Sequence, residues 1–220
     1  MKMKYSNLLI VLLTFAVYTT QAQNSDIVQV KDTAYMNVVQ QRATKIVDKM
    51  NLPSGINKQD VQNKIAWQYY NLNDIYKKRD STLAVLKKDT VNAAARKQAI
   101  TDAANASIDS LHRIFIAALA KNLDTTQINK VKDGMTYDVL HVTYNAYQQM
   151  LPTLNDQQKH QIYTWLVEAR EHAMDAESSE KKHAWFGKYK GRINNYLSAQ
   201  GYDLNKATAE WQNRIKAGKQ

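Results

Sequence analysis

Apolar side chains recur every three or four residues along most of the chain, which is the spacing of one face of an α-helix. The first amphipathic run starts near Asp32 and stops at the turn-forming segment Asn-Leu-Pro-Ser-Gly, residues 51–55. Two longer runs follow, over residues 57–86 and 90–122, and together they predict a long antiparallel hairpin. After the first 22 residues no run alternates with the two-residue period of a strand. The sequence therefore predicts an all-α fold.

The second half of the chain predicts shorter helices with clear ends. Breaks fall near Gly134, at Pro152 and near Ala176, and Gly201 is placed to end a helix that Ser178 or Ser179 begins. A last amphipathic piece starts at Asp203. We expect a bundle of six to eight helices in a single domain over residues 23–220. Within it, residues 23–122 would form a long-helix arm and residues 123–220 the helical core.

Two helix starts in this half have similar sequences, LDTTQINKV from Leu123 and LNDQQKHQI from Leu154. In each, a leucine precedes a capping residue, and a glutamine stands four positions after the leucine. This is typical of a capped helix start with an apolar staple. It also resembles the LTxxQ repeat of periplasmic helical chaperones, although Asp124 and Asn155 stand where that repeat has threonine. A helical chaperone or interaction protein is therefore an alternative function.

The first 22 residues have the composition of a signal peptide. Lys2 and Lys4 precede an apolar run over residues 8–17, and Ala22 offers a small residue for cleavage. The run is too short to span a bilayer comfortably, and the chain has no cysteine to carry a lipid anchor. We expect a mature chain in the periplasm or outside the cell, with no stable membrane span after cleavage.

An excess of positive charge narrows the expected partners. The formal net charge is +10 with 30 Lys and Arg against 20 Asp and Glu, which favours anionic partners. For an exported protein these are acidic glycans, lipid head groups or cell-wall polymers, and nucleic acid is not expected. The oligomeric state is left open.

The segment with the densest candidate chemistry is the predicted helix over residues 180–200. Its apolar stripe, expected to be core, is Trp185, Tyr189, Ile193, Tyr196 and Leu197. A second face carries Gly187 and Gly191 among other small residues, at a cost of about 1 kcal/mol for each glycine relative to alanine in a helix. We expect another helix to pack closely on that face, with a ligand against the backbone as the alternative.

Polar side chains beside this face have the donors that a glycan site needs. Arg offers a planar fork to a carboxylate, Asn offers a donor and an acceptor to neighbouring hydroxyls, and an aromatic such as Trp185 or Phe186 offers a flat apolar surface. A solvated basic face is the alternative interpretation. The candidate ligand-binding residues on this helix are His183, Trp185, Lys188, Arg192, Asn194 and Asn195.

The preceding helix carries an acidic stripe of Glu168, Glu171 and Asp175, with His172 beside it. An acidic face that pairs with the basic helix is the first interpretation, and we include Glu168, Glu171 and His172 among the ligand-binding candidates. An oxygen-rich metal site and a carboxylate pair for glycoside hydrolysis are alternatives. So is β-elimination on a uronate by His172 or His183 with Tyr189 and Arg192.

No motif of high specificity for catalysis is present. The chain has no serine-histidine-aspartate order, no phosphate-binding loop and no HExxH helix, so we lean away from an enzyme and expect no cofactor and no metal. The tyrosines at 69, 70, 144 and 147 have core spacing, and His141 and His160 are expected to have no role.

Three segments carry a resemblance to a known family: VKDGMTYDVLHVTYNAYQQMLPTL, WLVEAREHAMDA and EKKHAWFGKYKGRINNYLSAQGYDL. They resemble the exported bacterial family known as domain of unknown function 3826, which is described as a candidate for sugar binding in genomes rich in polysaccharide-use loci. The resemblance implies glycan contact and supplies no catalytic residues. The sequence thus predicts an exported, non-catalytic helical protein that binds carbohydrate, acidic glycans included. A glycan lyase or hydrolase is a further alternative.

Overall fold

Eight α-helices and the turns between them make up the part of the chain that the computed structural model describes, residues 32–86 and 93–218. They are α1 (Thr33–Lys49), α2 (Lys58–Leu86), α3 (Ala93–Leu119), α4 (Thr125–Met135), α5 (Val139–Met150), α6 (Asp156–Met174), α7 (Ser179–Ala199) and α8 (Leu204–Lys216). The prediction of an all-α fold with six to eight helices is confirmed. The predicted signal peptide, residues 1–22, lies outside the described residues.

The N-terminal part is a long helical hairpin with a shorter helix against it. The α2 and α3 helices pack side by side. Lys64, near the start of α2, donates a hydrogen bond to Asn122, just after the end of α3, so the two helices are antiparallel. The α2 helix continues through residues 79–82 without a break. The α1 helix, capped by Asp32, packs on both α2 and α4. The long hairpin predicted from sequence is therefore confirmed.

The α1 and α4 helices approach so closely at one point that only glycine fits there. A Cβ atom on Gly134 would lie 2.7 Å from Cγ2 of Ile46, a distance that real Cβ contacts do not reach. Ile46 is itself buried. The absence of a side chain at residue 134 therefore sets the distance between the two helices.

The two similar helix starts are both capping boxes. The Asp124 side chain accepts a bond from the backbone of Gln127, and the Gln127 side chain bonds back to the Asp124 N–H. Asn155 and Gln158 repeat this exchange at α6, and the leucines before the caps, Leu123 and Leu154, are buried. Each pattern is thus accounted for by helix initiation.

A large cluster of buried apolar side chains lies among the C-terminal helices. It draws Leu140 from α5, Leu166 from α6, Ile193 from α7 and Ala207 from α8. Gly201 follows α7 with φ of +89°, and the Tyr202 N–H bonds to the Leu197 carbonyl, which is the Schellman arrangement that favours glycine. The chain reverses there so that α8 can return against α5 and α7.

The buried face of α7 differs from the predicted one by a small rotation. Its buried residues are Lys182, Phe186, Tyr189, Ile193 and Leu197. Trp185 and Tyr196 are only partly buried at its edges. Phe186, considered above as a sugar platform, is 1% exposed and belongs to the core.

The prediction that another helix packs on the small face of α7 is wrong. Nothing among the described residues comes within 4 Å of a Cβ atom built on Gly187 or Gly191, and both glycines are exposed. Their cost to the helix is therefore offset elsewhere, by the buried stripe on the opposite side.

Residues Asp32–Gln220 form one compact unit. Its division into an arm and a core stays a prediction. In the described residues, none of the helices has both the length and the apolar character needed to cross a bilayer.

The glycines offer a matched pair of substitutions. We expect Gly134→Ala to destabilise the fold by about 1–3 kcal/mol, because the added methyl group overpacks against Ile46. We expect Gly187→Ala to stabilise it by about 1 kcal/mol, because alanine favours the helix and meets open space. Urea unfolding of both variants beside the parent measures the two changes, and equal effects would contradict the close approach at Gly134.

Candidate functional site

One concavity in the described residues is a cleft of about 1030 Å³. It is bounded by α1, α2, the turn between α4 and α5, and the turn between α6 and α7. Its apolar floor includes Ile46, Met50 and Leu72. This volume is at the upper end of the range for small-ligand sites.

Four tyrosines face the cleft: Tyr35, Tyr69, Tyr76 and Tyr137. Burial raises the pKa of Tyr76 to about 12, and burial also raises the pKa of Tyr69. Both phenols therefore keep their O–H proton at neutral pH, and Tyr76 donates to the Asp175 carbonyl oxygen at 2.7 Å. The expectation that Tyr69 belongs to the core is only partly right, because it is half-buried in the cleft wall.

The cleft is bordered by cationic side chains that have no salt-bridge partner among the described residues. Arg42, Lys45 and Lys49 recur along α1 at helical spacing, and Lys130 extends from α4. All four are exposed, and within residues 32–86 and 93–218 none forms a salt bridge. Two acidic groups of the cleft are paired within the protein, Asp133 with Arg170 at 2.7 Å and Glu177 with Arg79 at 2.5 Å. A third, Asp138, is exposed beside His141, and the four cations outnumber it. The open part of the cleft is therefore positively charged.

Lys182 is a buried cation in the wall of the same cleft. Its ammonium donates to the carbonyl oxygens of Ala173 at 3.1 Å and Met174 at 2.6 Å, and it lies 5.7 Å from the centre of the Tyr69 ring. Burial lowers the pKa of Lys182 to about 8. The lysine bonds two carbonyl groups at the end of α6, where the helix provides no i+4 amide partner, so it ties α7 to α6.

A chain of polar contacts runs from the cleft into the bundle. Arg170, 3% exposed, donates to Asp133 and to Asn129 at 2.9 Å. The second Asp133 oxygen lies 3.1 Å from Nε2 of His141. His141, expected to have no role, is therefore part of the network at the cleft edge.

Only one group of side chains in the described residues has the composition and spacing of a metal-ligand set. Ligand atoms of Asp133, Asp138 and His141 lie within 4.8 Å of one another. Asp138 occupies the N-cap position of α5 in a left-handed conformation, with φ of +57°, and its side chain makes no capping bond. The three groups could accept a divalent cation, but the guanidinium of Arg170 on Asp133 opposes one electrostatically.

A second depression, a groove of about 740 Å³, lies beside the cleft between α3, α6 and α7. Tyr76, Ala176 and Glu177 line both concavities. The groove also contains the His172 and Trp185 rings, which stack with centroids 4.4 Å apart and planes 17° from parallel.

His112 of α3 connects the hairpin to α6 in this groove. Its Nδ1 lies 2.5 Å from the Asp175 carboxylate and its Nε2 lies 3.8 Å from Glu171. The hydrogen bond to Asp175 raises the pKa of His112, and burial opposes this increase only in part. Asp175 also accepts a bond from Gln68 of α2 at 2.9 Å. One carboxylate thus joins α2, α3 and α6.

The nine predicted ligand-binding residues lie in three different places: the groove, the edge of the cleft, and the surface outside both. Glu171, His172 and Trp185 line the groove. His183 stacks on Tyr137, with centroids 5.7 Å apart, beside the cleft. The others lie along the outer part of α7 or beside it and line neither concavity: Glu168, Lys188, Arg192, Asn194 and Asn195.

The outlying residues make contacts within the protein. Arg192 lies 4.5 Å over the Trp165 ring and 3.4 Å from Glu168, so the predicted pairing of the acidic and basic helices occurs at this point. Asn194 accepts a hydrogen bond from the Tyr147 hydroxyl at 2.6 Å. Their assignment as ligand-binding residues stays a prediction.

Sequence reasoning missed most of the cleft. The cations at residues 42, 45 and 49 share one face of α1, and this spacing was a usable signal. The roles of His112 and Lys182 had no local signal, because their partners are on other elements.

The protonation of His112 predicts a pH-dependent stability. Its folded pKa lies above the unfolded value of about 6.5. The stabilisation is therefore complete below that value and is lost as the pH rises through the folded pKa. We expect His112→Gln to remove this loss when unfolding free energy is measured across the window above about pH 6.5.

The exposed His160 supplies the control. We expect His160→Gln to keep the pH dependence of the parent. The lowered pKa of Lys182 makes the unfolding free energy rise with pH at higher pH. This rise is common to the parent and both variants. Identical slopes for the parent and His112→Gln would contradict the assigned role of His112.

The chain was compared with known proteins as a whole. No curated protein matches it significantly. A family model described as "Protein of unknown function (DUF3826)" matches residues 36–217, which include nearly all of α1, every later helix and all the lining residues of the two concavities except Tyr35. The chain therefore belongs to this family of proteins of unknown function, DUF3826.

Proposed function

We propose that the protein binds an acidic carbohydrate in the cleft, outside the cytoplasm, and performs no chemistry on it. Binding of this kind would deliver or retain a glycan during polysaccharide use. The observation that carries the proposal is that tyrosine rings and unpaired cations share one concave surface.

The tyrosines support binding of a sugar. A pyranose ring has an apolar face that packs on aromatic rings, and its hydroxyls need donors and acceptors at the rim. Tyr69 and Tyr137 offer both in one side chain, because each combines a flat ring with a phenolic hydroxyl. The apolar floor below them, which includes Leu72, favours a ligand with one apolar face.

The cations support an acidic ligand. Arg42 can hold a carboxylate through two parallel hydrogen bonds, while Lys45 and Lys49 add mobile point charges. Because no acidic side chain among the described residues pairs with these three, a ligand carboxylate would not have to displace one.

Three acidic side chains of the cleft and the groove support binding without catalysis. A general acid or base needs a carboxyl group that is free to exchange its proton with the substrate. Asp133, Glu171 and Asp175 are instead held by Arg170, Lys132 and His112 at 2.7, 2.6 and 2.5 Å. These three carboxylates therefore stabilise the fold through their ion pairs.

The proposed location rests on the N-terminal sequence. Lys2, Lys4 and the apolar run over residues 8–17 have the order of an export signal, and acidic glycans are abundant outside the cytoplasm.

The cleft is tested by calorimetric titration of residues 23–220 with the trisaccharide of galacturonate. We expect Lys45→Ala with Lys49→Ala to weaken binding by about tenfold, equivalent to about 1.4 kcal/mol. Added salt should weaken binding to the parent more than binding to this variant, because the lost contacts are electrostatic.

The matched control removes two lysines outside both concavities, Lys206→Ala with Lys216→Ala on α8. It lowers net charge by the same amount and should bind as the parent does. Equal loss in the two double variants would assign the effect to overall charge. No binding of galacturonate, mannuronate or glucuronate oligomers by the parent would overturn the proposed function.

A further inference from the structure

We infer that the groove between α3, α6 and α7 continues the cleft and holds further sugar units of the same chain. The ligand would then be an extended oligosaccharide or polysaccharide strand rather than a single sugar. This inference rests on the proposed function, because the cleft has to hold the first acidic units.

Shared lining residues place the two concavities side by side. Tyr76 and Glu177 face both, as does Ala176 at the start of the turn between α6 and α7. Ala176 has only a methyl side chain, and Arg79 holds Glu177 through a 2.5 Å contact. A strand leaving the cleft would cross a border made of one small residue and two fixed ones.

The combined size exceeds what one sugar unit requires. The cleft measures about 1030 Å³ and the groove about 740 Å³, while a site for one drug-sized ligand spans about 300–1000 Å³. Each concavity is therefore as large as a complete ligand site, and a monosaccharide in the cleft would leave the groove empty.

The groove has an aromatic surface of its own. The His172 imidazole lies against the Trp185 indole and, more loosely, against the Tyr189 ring at 6.3 Å. The Lys188 ammonium lies 5.0 Å from the Trp185 ring centre and is exposed, so its flexible side chain can move aside or bond a sugar hydroxyl. A stacked platform of this kind suits the apolar face of a pyranose ring.

The charges of the groove differ from those of the cleft. Asp175, Glu171 and Glu177 are each paired within the protein. The charged groups that remain are Arg113, Lys181 and Asp109. Positive and negative charges of the groove therefore nearly cancel, while the cleft is cationic. We therefore assign the acidic units to the cleft and place stacking and hydroxyl contacts in the groove.

The experiment measures affinity against oligomer length by calorimetry. The ligands are galacturonate as the mono-, tri- and hexasaccharide, and the protein is the chain from residue 23 onward. We expect the parent to bind the hexasaccharide at least tenfold more tightly than the trisaccharide, with one hexasaccharide per chain. We expect Trp185→Ala to abolish this gain and to leave trisaccharide affinity unchanged.

Two further variants separate a lost contact from a damaged fold. Trp185→Phe keeps an aromatic surface and should restore part of the gain. Trp211→Ala removes a partly buried tryptophan of α8, outside both concavities, and should behave as the parent. Thermal unfolding of all variants identifies any that fail to fold, in which case Trp185→Phe alone carries the test.

The possible outcomes separate the proposed extension into the groove from the proposed binding in the cleft. Equal affinity for the trisaccharide and hexasaccharide, or two hexasaccharides bound per chain, would overturn the continuous strand while the cleft function stands. A length gain that Trp185→Ala leaves intact would overturn the groove as the path. No binding at any length by the parent would overturn both proposals.

Discussion

The charged groups at the end of α6 must all find partners, and the partners they use hold the molecule together. A buried charge without a partner costs several kcal/mol, and this short stretch contains Arg170 and Asp175, both nearly inaccessible to solvent. Lys182, just beyond it, is buried as well. The partners of Asp175 are His112 and Gln68 of the hairpin, and the partner of Arg170 is Asp133 of α4. The same contacts that satisfy these charges therefore join the N-terminal hairpin to the C-terminal helices.

This requirement also shapes the surface. The turn between α6 and α7 lies between the cleft and the groove, and Lys182 fixes it by bonding the last carbonyls of α6. On one side Asp133 and Arg170 anchor the wall of the cleft. On the other, His112 and Asp175 line the groove. Both concavities thus adjoin one turn, and most of the acidic groups beside it are paired within the protein while the cations of α1 remain available.

Local signals in the sequence were enough to predict the helices. Proline at 152, glycine at 201 and the caps at Asp124 and Asn155 act within one turn of where they stand, so their effects could be recognised without knowing the fold. The antiparallel hairpin followed from two long amphipathic runs joined by a short connection. The face of α7 was harder, because its stripe includes Lys182, whose burial depends on carbonyl groups of another helix.

The candidate site depended on contacts between distant residues. Sequence reasoning favoured six residues of α7, in the densest local cluster of Lys, Arg and Asn, and three of α6. Of these nine, two of the α6 residues and Trp185 of α7 line the groove. The cleft is instead assembled from α1, α2, α4 and two turns, each contributing a few residues that are unremarkable alone. Gly187 and Gly191 were misleading for the same reason: a helix face rich in small residues predicts close packing only if a neighbour is present.

The close approach at Gly134 has a consequence for recognition. Because Ile46 packs directly against the Gly134 backbone, α1 and α4 are in close contact at this point. Arg42, Lys45 and Lys49 are on the helix that this contact fixes, and Tyr137 follows α4 by two residues. The backbone positions of the cationic wall and of the facing aromatic ring are thus set before any ligand arrives. Little backbone entropy would be lost on binding, so more of each contact's free energy would appear as affinity.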